Sequence, residues 1–226
     1  IISDDLSLDP QDRMFSLLGT KVHGALEQHT DNMLAEERIS DEISSGQMDC
    51  YDAESMTLYD YKTAGSYKIM QALGIVMVDV PTGEIYKTGE KKGQPKTRKE
   101  AQFTGQPDMT EWELQLNDYR IKLESQGFPV KDMYIEAIVR DGGTIAARSR
   151  GIMQNAYLIP IRRMPDEEVK GYFKAKADAL QTALATETIP DPCSDDECWN
   201  RRKCKAYCTA WEYCDIGLME RGSDEE

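Results

Sequence analysis

The order of hydrophobic patterns along the chain predicts a mixed α/β (α+β) core with a cysteine-rich appendage at its C-terminal end. Three observations carry this. Several segments repeat apolar residues at three- and four-residue steps, as core-packed helices do. Between them lie short alternating runs of strand length. Five of the six cysteines (Cys193, Cys198, Cys204, Cys208 and Cys214) crowd into the last part of the chain. The 226 residues suit one medium-sized domain plus a small addition, divided here as 1–190 and 191–226.

The elements follow in order. Pro10 to about Arg38 reads as a helix, because Met14, Leu17, Leu18, Val22, Ala25 and Leu26 share one face and no proline interrupts them. Gly46–Tyr51 and Met56–Lys62 flank the polar turn Asp52–Ser55, as in a hairpin. Ser66–Val78 is predicted as a second helix and 81–107, rich in Gly, Lys and Thr, as a basic loop-like insertion. Met109–Gln126 is helical and stops at Gly127 and Pro129. Met133–Arg140 and Ala156–Arg162 alternate as strands, and Asp166–Thr186 is an amphipathic helix. Alternation of helices and strands around one core gives the fold class.

The formal net charge is −14, from 41 acids against 27 bases, which alone argues against a polyanionic partner. Its distribution argues otherwise. Residues 1–60 carry 14 acids and 3 bases, whereas 87–99 carry six bases and Glu90. Arg140 to Arg163 hold five arginines and one acid, and Arg201–Lys205 adds four bases. The longest apolar run, around Ala72–Val80, is broken by Gly74 and Asp79 and falls far short of the ~20 residues of a membrane span. Ile1–Pro10 is acidic rather than basic-then-apolar, so no membrane partner and a cytoplasmic location are expected.

Two histidines, His23 and His29, leave little material for a His-rich metal site or a Ser-His-Asp triad. The clustered cysteines read as a metal or iron–sulfur site in a reducing compartment rather than a disulfide framework. In Asp60-Tyr61-Lys62, an extended strand puts Asp60 and Lys62 on one face and Tyr61 on the other. Asp49 lies across the proposed hairpin. Two converging carboxylates suit a hard cation, Mg²⁺ or Mn²⁺, with the lysine able to orient or deprotonate a bound water; a salt-bridged surface hairpin fits the same residues. His23 and Glu27 share a helix face, as do Gln115 and Tyr119, although either pair also fits plain helix packing. Cys50, next to Asp49, points away from that site as a buried thiol.

The ordered set Gly19-x3-His23-x3-Glu27, Gly46-x2-Asp49, Asp60-Tyr61-Lys62-Thr63 and Gln115-x3-Tyr119 resembles the PD-(D/E)xK nuclease superfamily. Within it, the set is similar to the RecB-like exonuclease branch, which includes phage-borne and CRISPR-adaptation exonucleases. Cys204-x3-Cys208-x5-Cys214 resembles the cysteine ending of that branch's iron–sulfur members, and the matches span about residues 19–214. The resemblance implies a restriction-endonuclease-like core, a central mixed sheet flanked by helices. It implies that Asp49, Asp60 and His23 ligate Mg²⁺ or Mn²⁺ together with the Tyr61 carbonyl. Lys62 would position the attacking water, Gln115 and Tyr119 would hold the site or contact DNA, and Glu27 would support it.

The same resemblance implies a [4Fe–4S] cluster, with structural Zn²⁺ as the rival, on Cys204, Cys208 and Cys214. Family members usually draw a fourth ligand from before the His motif, where this chain has no cysteine. Cys198, with Cys193 as alternative, takes that place unless the natural beginning is missing, as the Ile-Ile start suggests. The expected activity is divalent-metal-dependent DNA exonuclease action on single strands or free ends, in recombination, repair or CRISPR adaptation. Homo-oligomers or recombination and CRISPR proteins are the expected partners. Lys91, Lys92, Lys96, Arg98 and Lys99 read either as a DNA-contacting loop or as a solvated charge run. The alternative function is a non-catalytic DNA-binding or assembly module that keeps the fold and a structural metal cluster. A third, favoured only by net charge, is a metal enzyme acting on a non-nucleic substrate.

Overall fold

The computed structural model describes residues 18–20 and 33–222. It is a mixed α/β fold in which a central five-stranded mixed sheet is flanked by helices. The sheet has the order β1-β4-β5-β8-β9, built from β1 (Leu34–Ala35), β4 (Cys50–Asp52), β5 (Thr57–Ala64), β8 (Asp132–Val139) and β9 (Ala156–Pro160). β5 and β8 run parallel over eight residue pairs, from Thr57↔Asp132 to Ala64↔Val139, and the other neighbours are antiparallel. The β4–β5 hairpin predicted around Asp52–Ser55 is present, with Cys50 opposite Tyr59. Two small sheets stand beside the main one: β2 (Arg38–Ser40) with β3 (Ser45–Gln47), and β6 (Ile75–Ile85) with β7 (Pro95–Phe103).

Alternation along β8 buries Met133, Ile135, Ala137 and Val139 on one face. Onto that face packs α2 (Thr110–Ser125), whose Trp112, Leu116, Tyr119 and Leu123 recur at helical steps and are buried. α1 (Ser66–Ala72) adds Ile69 and Met70 to the same core, and the short α3 (Ile145–Ser149) adds Ala147. α4 (Asp166–Thr186) has the predicted bounds. The chain divides into two compact units at Lys170–Gly171, inside α4. The second unit contains α5 (Arg202–Ala206), a 3-10 turn at Trp211–Tyr213 and α6 (Asp215–Gly222). Among the described residues no helix is long and apolar enough to cross a membrane.

Three expectations are corrected. The first helix was expected to reach about Arg38, but Leu34–Ala35 and Arg38–Ser40 are strands, and Glu36 between them has φ 55°. The helix starting at Ser66 was expected to run to Val78. It ends at Ala72, because Gly74 adopts φ +69°, a conformation that ends helices, and Ile75, Val76, Val78 and Val80 then favour a strand. The insertion 81–107 is not a loop. Its bases lie on and between the strands of a long β6–β7 ribbon, with Asp79 opposite Lys99 and Val80 opposite Arg98.

Polar residues on the buried side of α2 lock the surrounding loops. Arg120, fully buried, donates to Asn117 Oδ1, Glu124, the Met164 carbonyl and Asp166. Asn117 in turn donates to the Arg162 carbonyl and accepts from Met164 N–H, so the link from β9 into α4 is held at both ends. Two residues on and facing the other way around the helix, Lys122 is only 1% exposed and meets Asp118 at 2.5 Å, Ser44 Oγ at 2.7 Å and Asp41 at 3.5 Å. Asp41 also accepts from Ile43 N–H and Ser44 N–H, forming the turn of the β2–β3 hairpin. This clamp fixes that hairpin on α2.

Removing one member of a buried ion cluster strands the others. Lys122→Met is therefore expected to cost about 3 kcal/mol in urea unfolding, and Lys122→Met/Asp118→Leu should recover most of the loss. Burial acts to raise the Asp41 pKa, but the Ser44 and Ile43 amides and Lys122 outweigh it, so the carboxyl sits below its ordinary value. Its contribution is then full above about pH 4 and lost as pH falls through the lower folded value. Asp41→Asn should lower the urea midpoint at neutral pH, with the gap from wild type closing in strong acid.

Candidate functional site

The site is built on β5, the central strand. Asp60 and Lys62 point to the inner face, as strand alternation demands, and their side chains pair at 2.6 Å. Asp60 is 1% exposed. A carboxylate buried this deep needs a compensating cation, and the Lys62 side chain stands in that position. Asp49, just before β4, sends its Oδ2 across the hairpin to accept a 2.6 Å hydrogen bond from Tyr61 N–H. The two aspartates are thereby tied to consecutive residues of one strand. The Tyr61 ring lies on the opposite face beside Cys50, where burial and the Cys50 thiol push its phenol up. Burial likewise raises the Cys50 thiol, which contacts Met33 sulfur at 3.3 Å.

α2 supplies the wall above the carboxylates. Gln115 Nε2 donates to Tyr119 Oη at 3.1 Å, as their four-residue spacing allows. Burial pushes the Tyr119 phenol up, the Gln115 bond opposes this, and the charges of Asp60, Asp49 and Asp118 add to the rise. Tyr119 thus senses both site aspartates. Gly46 lies against its ring: a Cβ there would stand 2.5 Å from Tyr119 Cε1 and 2.8 Å from its hydroxyl. The glycine is required by close approach. The Lys122 clamp holds the hairpin that carries it.

Residues 18–20 are helical, and a Cβ on Gly19 would lie 3.4 Å from Thr63 Oγ1, next to Lys62. His23 and Glu27, expected as ligand and support, lie outside the described residues. Among the described residues no three His, Cys, Asp or Glu side chains stand together as a metal-binding group. The oxygen donors of Asp49 and Asp60 fit Mg²⁺ or Mn²⁺ by their chemistry, as two protein ligands.

The proposed DNA-contacting bases are on the ribbon. Lys96 pairs with Glu84 at 2.9 Å, Arg98 with Glu100 at 2.5 Å and Lys99 with Asp79 at 3.5 Å. Lys91 and Lys92 are exposed in the turn between the strands. Exposed pairs of this kind hold little energy and break readily for another anion.

In the second unit, Cys204 is buried. Burial raises its thiol, and Cys198, Cys208 and Cys214 each push it further, with Cys198 also hydrogen-bonded to it. All three act on Cys204, whereas Cys193 is exposed and acts on Lys176. Trp199, Asn200 and Arg201 have φ of 53°, 51° and 69°, a left-handed coil that costs energy in L-residues. The coil turns Arg201 N–H onto Cys198 Sγ at 3.3 Å. Arg221 braces this segment, donating to the Cys204 and Cys208 carbonyls. Thiols are the donors that Zn²⁺ and iron–sulfur clusters take, but no three of these stand together as a metal-binding group.

No family model and no curated protein matches the chain. A solved structure described as "Crystal structure of SSO0001" is similar to it at 13% identity and TM-score 0.44, over 93% of this chain and 73% of that one.

The Lys122 clamp, Gly46 and the Asn117–Arg120 pair were not singled out for these roles from the sequence. For Asn117, Arg120 and Lys122 the signal was present as polar residues interleaved with the apolar stripe of α2. Gly46→Ala should displace Tyr119 and cost about 1–3 kcal/mol by overpacking. Pairing it with Tyr119→Ala should remove that increment, as a double-mutant cycle of urea midpoints would show.

Proposed function

We propose that the chain is a divalent-metal-dependent DNA exonuclease of the PD-(D/E)xK type, acting on single strands or free ends. The observation that supports this most is the convergence of Asp49, Asp60, Lys62 and the Gln115–Tyr119 pair around one buried point on the central strand. A salt-bridged surface hairpin would not bury Asp60 or wall it with a tyrosine. Asp49 and Asp60, with the Tyr61 carbonyl and His23, would hold Mg²⁺ or Mn²⁺. Bound there, the cation would polarise the scissile phosphate and acidify a water. Lys62, exchanging its Asp60 partner for substrate, would orient that water and stabilise charge on the phosphate. Tyr119, kept protonated by its surroundings, would donate a hydrogen bond at the site, and the Gln115 amide would fix its ring. Recombination, repair or CRISPR adaptation is the setting that the resemblance suggests.

In the same reading, Cys198, Cys204, Cys208 and Cys214 hold a [4Fe–4S] cluster, with structural Zn²⁺ as the rival. Anaerobically purified protein should be brown with broad visible absorbance, and Cys204→Ser should be colourless and less stable. A colourless wild type holding zinc would favour the rival.

Activity is tested on end-labelled linear and circular DNA with Mn²⁺. Wild type should shorten linear DNA only, while Asp60→Asn and Lys62→Ala should each lose at least ~100-fold in rate. Binding without cleavage by any of the proteins would favour the non-catalytic module, and cutting of circles would point to an endonuclease.

A further inference from the structure

A cleft of about 640 Å³ opens in the first unit between α1, the start of β6 and the end of α3. Its floor is apolar, made by Met70 and Ile75 with the half-exposed Tyr67 at its side. Its charged members are both cations, Lys99 and Arg150, and Gln71 adds an amide. Arg150 is held in place: Nη1 donates to Ser66 Oγ at 2.8 Å and lies 3.6 Å from Asp141, and the guanidinium sits 5.8 Å from the Tyr67 ring centroid. Asp141 in turn accepts from Ser66 N–H and Oγ, both at 2.6 Å. The cleft therefore combines an aromatic and thioether surface with a braced guanidinium and a second cation, Lys99, which pairs with Asp79 at 3.5 Å.

We infer that this cleft binds a nucleotide of single-stranded DNA, its base against Tyr67 and Met70 and its phosphates on Arg150 and Lys99. The inference rests on the nuclease reading for its partner but uses none of the residues of the Asp60 site. A volume of this size suits a ligand of nucleotide dimensions. An aromatic face with cations at the rim is how single strands are held without regard to sequence. Paired bases inside a duplex cannot present a face to Tyr67, so the cleft selects unpaired DNA. Position supports the assignment. Tyr67 follows Lys62 by five residues, at most about 18 Å of chain, so a strand a few nucleotides long can reach both. Lys99 also belongs to the basic ribbon, so the cleft is continuous with that row of bases.

The test is fluorescence anisotropy in Ca²⁺ with a short labelled oligothymidylate and a blunt duplex of equal length, using the full chain. Tyr67→Ala should weaken single-strand binding about ten-fold and leave duplex binding unchanged, while Tyr67→Phe should stay near wild type. Photocrosslinking of 5-iodouracil in the same strand should label Tyr67 or its α1 neighbours. Unchanged single-strand affinity in Tyr67→Ala, an equal loss for both DNAs, or crosslinks confined to 87–94 would overturn the inference. The two readings fail separately. A wild type that binds single strands through Tyr67 but never cleaves them overturns the nuclease and leaves the cleft. One that cleaves while Tyr67→Ala binds normally does the reverse.

Discussion

The hydrogen bond from Tyr61 N–H to the Asp49 carboxylate is the constraint on which the site depends. It crosses from the segment before β4 to the centre of β5 and spans 2.6 Å. Because it engages the backbone between Asp60 and Lys62, it fixes Asp49 against the two residues whose side chains face inward. The rest of the fold keeps that bond possible. Parallel pairing with β8 makes β5 an interior strand, and α2 covers its inner face. The Lys122 clamp holds the β2–β3 hairpin on α2, and Gly46 in that hairpin leaves room for Tyr119 above the carboxylates. A local motif is thus held by contacts far apart in sequence.

The placement of Asp49, Asp60, Lys62, Gln115 and Tyr119 in the fold was legible in the sequence because each position depends on a short-range rule: strand alternation, a hairpin turn, or a four-residue helix step. β8 and α4 were legible for the same reason. What escaped was decided by single backbone conformations or by distant partners. Gly74 ended a helix whose apolar spacing continued to fit beyond it. The β6–β7 ribbon escaped because the start of β6 is apolar at successive positions and fits a continued helix, while β7 is largely polar; neither strand alternates as one packed on a core does. Nothing local to Arg120 and Lys122 marks them as interior. Their acids, carbonyls and the Ser44 hydroxyl, from residues up to 81 positions away, make them so.

Electrostatics reconcile a net charge of −14 with a nucleic-acid partner. Acids dominate the first 60 residues, including Asp49 and Asp60, where cations are needed. Bases line the ribbon and the Arg150 cleft, where a backbone would run. Many of these bases are already paired with acids at the surface, so an incoming phosphate exchanges partners rather than meeting a bare positive field. On the proposed reading, such a surface would disfavour indiscriminate duplex binding and leave discrimination to the Asp49–Asp60 cation site and to unpaired bases.

The central claim is that Asp49 and Asp60 form one cation site, and Mn²⁺ binding followed by electron paramagnetic resonance tests it most directly. Wild type should remove Mn²⁺ from the free pool with saturation. Asp49→Asn and Asp60→Asn should each weaken that binding severely, although both variants keep the wild-type circular dichroism spectrum. Mn²⁺ binding that is unchanged in both variants, or absent from wild type, would contradict the account.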